Sequence, residues 1–131
     1  MLSVSTSYLS DAKLSGADIL QRLTAFDISE IELSYRIDEK CFSSVQEALN
    51  RSRLKVSSVH NFCPIPTSAP NNEGGGDVFL LSDPDEDERR KAVKWTKRTI
   101  RHACAVGAKV VVLHCGRVEM NDERQRLYAF F

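Results

Sequence analysis

The chain has 131 residues, 42% of them hydrophobic and 27% charged, with Lys+Arg and Asp+Glu equal at 18 each. That is ordinary globular composition, enough for one domain and too short for two of usual size. A formal net charge of zero supplies no broad positive field for nucleic acid or anionic lipid, and no apolar run approaches the roughly 20 residues that cross a bilayer.

Residues 2–8 alternate and are rich in β-formers, which predicts a first strand. Ser15-Gly16-Ala17-Asp18 reads as a helix start, a capping serine with an acidic residue three positions on. Ile19, Leu20, Leu23 and Phe26 then form a helical apolar stripe. Ile31, Leu33 and Tyr35 alternate with Glu30, Glu32 and Ser34, a second strand. Ser43-Ser44-Val45-Gln46 reads as another capping box, with Val45, Ala48 and Leu49 on the inner face of its helix. A third strand is predicted over 54–59, ending in His60-Asn61-Phe62-Cys63-Pro64.

The stretch 64–83 holds three of the four prolines and the run Gly74-Gly75-Gly76, which predicts one long loop. Loops of that length inside a domain are often functional. A long helix follows, with Ser82 or Asp83 as its cap and Pro84 near its first position. Asp85, Glu86, Asp87 and Glu88 crowd its first turn, where the helix dipole favours them. Ala92, Thr96, Ile100, Ala103 and Cys104 mark its inner face, while Trp95 and the basic residues fit a solvated outer face. Gly107 is placed as a C-terminal cap. Residues 109–115 are almost continuously apolar, the pattern of a parallel strand buried on both faces. A further helical pattern begins over 122–131.

The opening Met1-Leu2-Ser3-Val4-Ser5 lacks the basic and apolar regions of a signal peptide. Cys41, Cys63, Cys104 and Cys115 show neither Cys-x-x-Cys nor zinc-finger spacing. Reduced thiols and a cytoplasmic location are expected, with Cys63 and Cys115 as small buried apolar groups.

The β-α-β-α-β-α-β order predicts an α/β fold with a parallel sheet. A doubly wound nucleotide-binding sheet normally carries Gly-x-Gly-x-x-Gly at its first βα turn; here that turn has the single Gly16. Gly74-Gly75-Gly76 is not followed by Lys-Ser/Thr, so it is no phosphate loop. Glu32, His60 and His114 instead gather in or at the carboxyl ends of predicted strands, where a barrel keeps its active site. The expected architecture is roughly half of a TIM barrel: four parallel strands with three to four helices, as a single, truncated domain over 1–131.

These segments resemble the xylose-isomerase-like barrels, the superfamily of sugar (phosphate) isomerases and epimerases and of endonuclease-IV-type DNA repair enzymes. The matching pieces are Phe26-Asp27-Ile28-Ser29-Glu30-Ile31-Glu32-Leu33, His60-Asn61-Phe62, and the run from Ala105 through Val112-Leu113-His114-Cys115 to Gly116. Ser29 stands near where such chains often have glycine, and the third loop is longer than most. The resemblance implies a metal-assisted sugar or sugar-phosphate isomerase or epimerase of carbohydrate metabolism, using a divalent ion (Zn, Mn or Mg). It further implies that His60 and His114 contact substrate or complete a metal shell, with Glu32 in support. By position alone, Arg117 and Glu119 fall in the loop after the predicted fourth strand, where Arg117 is expected as a further substrate contact. Most metal-binding carboxylates of the family lie on strands five to eight, so the isolated chain is expected to show no appreciable turnover. The alternatives are an endonuclease fragment, against which zero net charge speaks, and a non-catalytic half-barrel product. No membrane partner is expected, and the open sheet edges of half a barrel offer a route to a homodimer.

Overall fold

The computed structural model describes residues 2–9, 14–70 and 75–115. Its elements are β1 (Ser3–Ser5), α1 (Gly16–Leu23), β2 (Glu30–Leu33), α2 (Glu39–Leu49), β3 (Lys55–His60), α3 (Glu86–Ala105) and β4 (Val110–Val112), with a 3-10 turn, Thr6–Leu9, after β1. The four strands form one all-parallel sheet in the order β1-β2-β3-β4. This is an α/β fold in which each strand pairs with the next one in the chain. Among the described residues no helix is long and apolar enough to cross a membrane. Arg117, Glu119 and the helical pattern over 122–131 lie outside the described residues.

All three helices pack on one side of the sheet. Val4, Ile31, Leu33, Val56, Val59 and Val111 share one core with Ile19, Leu20 and Leu23 of α1, Phe42 and Val45 of α2, and Ala103 of α3. Leu23, Ile31, Leu33, Val45 and Val59 are fully enclosed, and each such side chain contributes about 1.5–3 kcal/mol relative to exposure. The opposite face carries Ser3 and Ser5 of β1, Glu30 and Glu32 of β2, and Ser58 and His60 of β3, all at least partly exposed. A second cluster of Phe62, Phe79, Ala92 and Trp95 pins the long β3–α3 connection to α3.

Several boundaries differ from the sequence pattern for identifiable reasons. The first strand stops at Ser5 because the chain coils at Thr6, whose buried hydroxyl accepts the Ser34 N–H at 2.9 Å. The α1 capping box is present as predicted, Ser15 with Asp18, but Phe26 lies beyond the helix and is exposed. The second helix starts at Glu39, earlier than predicted, because the Asp38 carboxylate accepts the Cys41 N–H at 2.7 Å. Ser43 is therefore inside the helix, its hydroxyl bonded back to the Glu39 carbonyl. The cap of α3 is Asp85, which accepts from the N–H groups of Asp87 and Glu88; Pro84 precedes it.

The buried face of α3 is Ala92, Trp95, Thr96, Thr99 and Ala103. Ile100 is 45% exposed and Cys104 is exposed, whereas Trp95 is buried rather than solvated. The apolar partner of Trp95 is the long connection, which the helical period alone does not reveal. Gly107 adopts φ +71°, the left-handed geometry expected of a residue ending a helix. The fourth strand is not buried on both faces: Val110 is 53% exposed and Leu113 42%. It is an edge strand among the described residues, and only Val111 reaches the shared core. Cys63 is buried as expected, but Cys115 is exposed.

Candidate functional site

The candidate site is a row of three rings at the carboxyl ends of three neighbouring strands. Tyr35 lies two residues past β2, His60 closes β3, and His114 lies two residues past β4. The Tyr35 and His60 ring centroids are 4.9 Å apart, and those of His60 and His114 are 5.0 Å apart in an edge-on arrangement. The two histidines singled out by their strand-end positions therefore do meet.

A β-bulge puts His60 in that row. Ile31 pairs with Val56, but Glu32 pairs with Ser58, so Ser57 is the additional residue in β3. Val56 and Val59 consequently both face the helices although they are three positions apart. His60 follows Val59 and so faces the open side, where strict alternation from Val56 would have buried it. The Ser57 hydroxyl fills the irregularity, donating to the Ile31 carbonyl at 3.0 Å and lying 2.8 Å from the Ser3 hydroxyl.

Each imidazole has one nitrogen engaged. His60 Nδ1 lies 2.9 Å from the Asn61 carbonyl, which accepts only, so this nitrogen carries the hydrogen and the neutral ring keeps a lone pair on Nε2. His114 Nδ1 lies 3.3 Å from Asp77 Oδ1. Asn61 is itself anchored below the rim, its side-chain amide donating to Thr96 Oγ1 at 3.1 Å. Its Oδ1 has no hydrogen-bond partner among the described residues.

Beside the row is an open hollow of about 480 Å³ lined by Tyr35, Pro70, Gly75, Gly76, Asp77, Val78 and His114, within the usual range for small-molecule sites. His60 is not part of that lining; it supports the two rings that flank it. The loop residues reach the hollow because their connection is tied down elsewhere. Phe62 and Phe79 meet edge-on at 5.9 Å, and Trp95 Nε1 donates to Ser68 Oγ at 3.1 Å.

Glu32 faces the same open side and accepts from Ser58 Oγ at 3.0 Å, so a hydroxyl answers its carboxylate here. Among the described residues, no group of three or more His, Cys, Asp or Glu side chains is gathered closely enough to hold a metal ion. His60 and His114 alone would supply two nitrogen donors.

Tyr35, Gly76 and Asp77 were not anticipated from the sequence. Continued alternation places Tyr35 on the core face with Ile31 and Leu33, but the strand ends at Leu33 and a turn re-aims it. The local signal for Asp77 is only an acidic residue after a glycine run; its partner is 37 positions away. The chain matches no protein-family model, and no curated protein matches it significantly.

Proposed function

We propose that the four strands correspond to one half of a xylose-isomerase-like (β/α)₈ barrel, and that the Tyr35–His60–His114 rim binds a sugar or sugar phosphate for metal-assisted isomerisation or epimerisation. The observation carrying this reading is the pair of imidazoles 5.0 Å apart at the carboxyl ends of adjacent parallel strands. Barrel enzymes place their chemistry at that end.

The strand order supports the barrel. A doubly wound sheet reverses its order partway and takes helices on both faces. Here the order is strictly sequential and all three helices share one core on one side. The exposed Val110 and Leu113 suit a strand that continues into further sheet.

The two imidazoles fit as partial ligands of a divalent ion. Each has Nδ1 held by a carbonyl or carboxylate oxygen, the outer support that metal-binding histidines ordinarily have. Two protein ligands fall short of the three or four of a tight zinc site, so further donors would come from substrate or from outside the described residues. When bound, a divalent ion supplies Lewis acidity at a substrate oxygen. The chain's own residues would bind and orient. Tyr35 offers a ring face to the carbon skeleton, and Asp77, Gly75 and Gly76 offer carboxylate and backbone groups to hydroxyls. Glu32 and Ser58 keep the open face of the sheet polar beneath the rim.

Cobalt(II) and a pentose phosphate, titrated separately into the full chain, test this reading. Imidazole NMR signals of His60 and His114 should move together, with cobalt absorption typical of nitrogen and oxygen ligands. Asn substitution of either histidine should weaken cobalt binding by about tenfold or more. Thiolate-type absorption from the exposed Cys104 or Cys115 with silent histidines would overturn it, as would tight binding of an abasic-site duplex with a steep salt dependence.

A further inference from the structure

We infer that Asp77 is a positioning residue for His114: with the Gly76 backbone it cradles the imidazole and fixes Nδ1 as the protonated nitrogen, so that both rim histidines present a bare Nε2 acceptor. The importance of the cradle rests on reading the rim as a ligand site; its existence does not.

Two independent features define the cradle. The first is steric. Gly76 is buried, and a Cβ built on it would collide with Cγ, Nδ1 and Cε1 of His114. The loop backbone thus lies against the ring where only glycine fits without moving it. The second is polar. Asp77, the next residue, sets Oδ1 3.3 Å from His114 Nδ1. An ionised carboxylate only accepts, so Nδ1 must donate. One residue supplies the surface under the ring and its neighbour supplies the acceptor at its edge.

His60 reaches the same state by a different route, through the Asn61 carbonyl at 2.9 Å. Two unrelated pieces of chain, the β3 terminus and the long loop, therefore impose one tautomer on two rings that touch edge-on. The consequence is a restriction on ligand chemistry. Neutral rings held this way meet a hydroxyl donor or a cation favourably and an anionic oxygen unfavourably. For a sugar phosphate, the hydroxyl-bearing end would face the histidines and the phosphate would lie elsewhere.

The test reads the imidazoles directly. The chain has three histidines, so ring nitrogen–proton correlation spectra of the full chain, at a pH where the rings are neutral, can be assigned by single substitutions. The wild-type chain should show Nδ1–H for both His60 and His114. D77A removes the acceptor, and His114 should convert to predominantly Nε2–H while His60 keeps its tautomer. D77E should retain Nδ1–H at His114, and G76A should reduce the ring-to-ring contact between His60 and His114. An unchanged His114 tautomer in D77A overturns the inference, and so does an equal change at His60, which would indicate general disturbance. Should D77A fail to fold, D77L is read the same way, with loss of the Nδ1–H preference expected. Failure of cobalt and sugar phosphate to bind would remove the proposed function and leave the tautomer result standing, so the two failures are distinguishable.

Discussion

Ser57 stands outside the strand ladder, and for that reason His60 keeps to the open side of the sheet. As the unpaired residue of the bulge, it lets Val56 and Val59 both enter the core and delivers His60 to the open face. Deleting Ser57 leaves Val56, Ser58, Val59 and His60 in plain alternation, so Val59 should stay in the core and His60 on the open face. The expected cost is about 1–2 kcal/mol, from the lost hydroxyl contacts of Ser57 to the Ile31 carbonyl and Ser3. S57A removes only the hydroxyl bonds and should cost about 1 kcal/mol while keeping His60 beside His114. Urea unfolding and ring-to-ring NMR contacts measure both. A deletion variant that buries His60 and loses the ring pair would show that Ser57 is not the residue set outside the ladder.

Trp95 is the anchor through which α3 holds the long connection. It is 8% exposed, packs with Phe62, Phe79 and Ala92, and donates to Ser68. W95A should cost about 3–5 kcal/mol, as truncation of a buried large aromatic does. Limited proteolysis should then cut first within residues 67–83. Equal protease resistance of W95A and the parent would mean that the loop is held by other contacts.

The fold class was readable because the strands and helices repeat local signals. The Ser15–Asp18 box, the acidic start of α3 and Gly107 at its end each act within a few residues. His60 and His114 were readable for a related reason, since a polar residue at the end of an apolar strand stands out in a linear string. The bulge left a trace, the spacing of three between Val56 and Val59, but helices show the same spacing and it did not identify itself. The exposure of β4 was misread because an apolar run shows that a strand can be buried, not that neighbours cover it. Asp77 and Tyr35 depend on where a long loop and a turn return, which is decided by Trp95, Phe62 and Phe79 at a distance.

Gly16 allows α1 and α2 to pack closely. A Cβ at this position would overlap the Cys41 carbonyl oxygen, the Val45 amide nitrogen and Val45 Cγ2, two of them backbone atoms that cannot turn aside. The close approach also permits the Ser44 hydroxyl to accept the Ala17 N–H at 3.1 Å, satisfying a donor in the first turn of α1. G16A should therefore destabilise by roughly 1–3 kcal/mol despite alanine's better helix propensity, and G16V by more. The denaturant midpoint should fall in that order. A midpoint unchanged or raised in G16A would mean that the helices separate at no cost.

His102 makes stability depend on pH from the far side of α3. Its ring stacks on Phe42 with centroids 4.7 Å apart, and Nδ1 is buried with no hydrogen-bond partner among the described residues. Burial is the main cause holding its pKa below the ordinary histidine value. The Glu39 carboxylate and the Cys63 backbone pull the other way, and Arg98, itself 2.7 Å from Glu39, adds to the lowering. The neutral ring is thus favoured in the folded chain, and the unfolded chain binds the proton first. The stabilisation is complete above the unfolded value of about 6.5, declines as pH falls through it, and is fully lost below the lowered folded value. Thermal or urea unfolding between neutral and mildly acidic pH should show this decline, and H102Q, which cannot titrate, should flatten it relative to the parent. His60 and His114 are present in both chains, so the difference between the two pH profiles isolates His102. Identical profiles would place the pH dependence elsewhere.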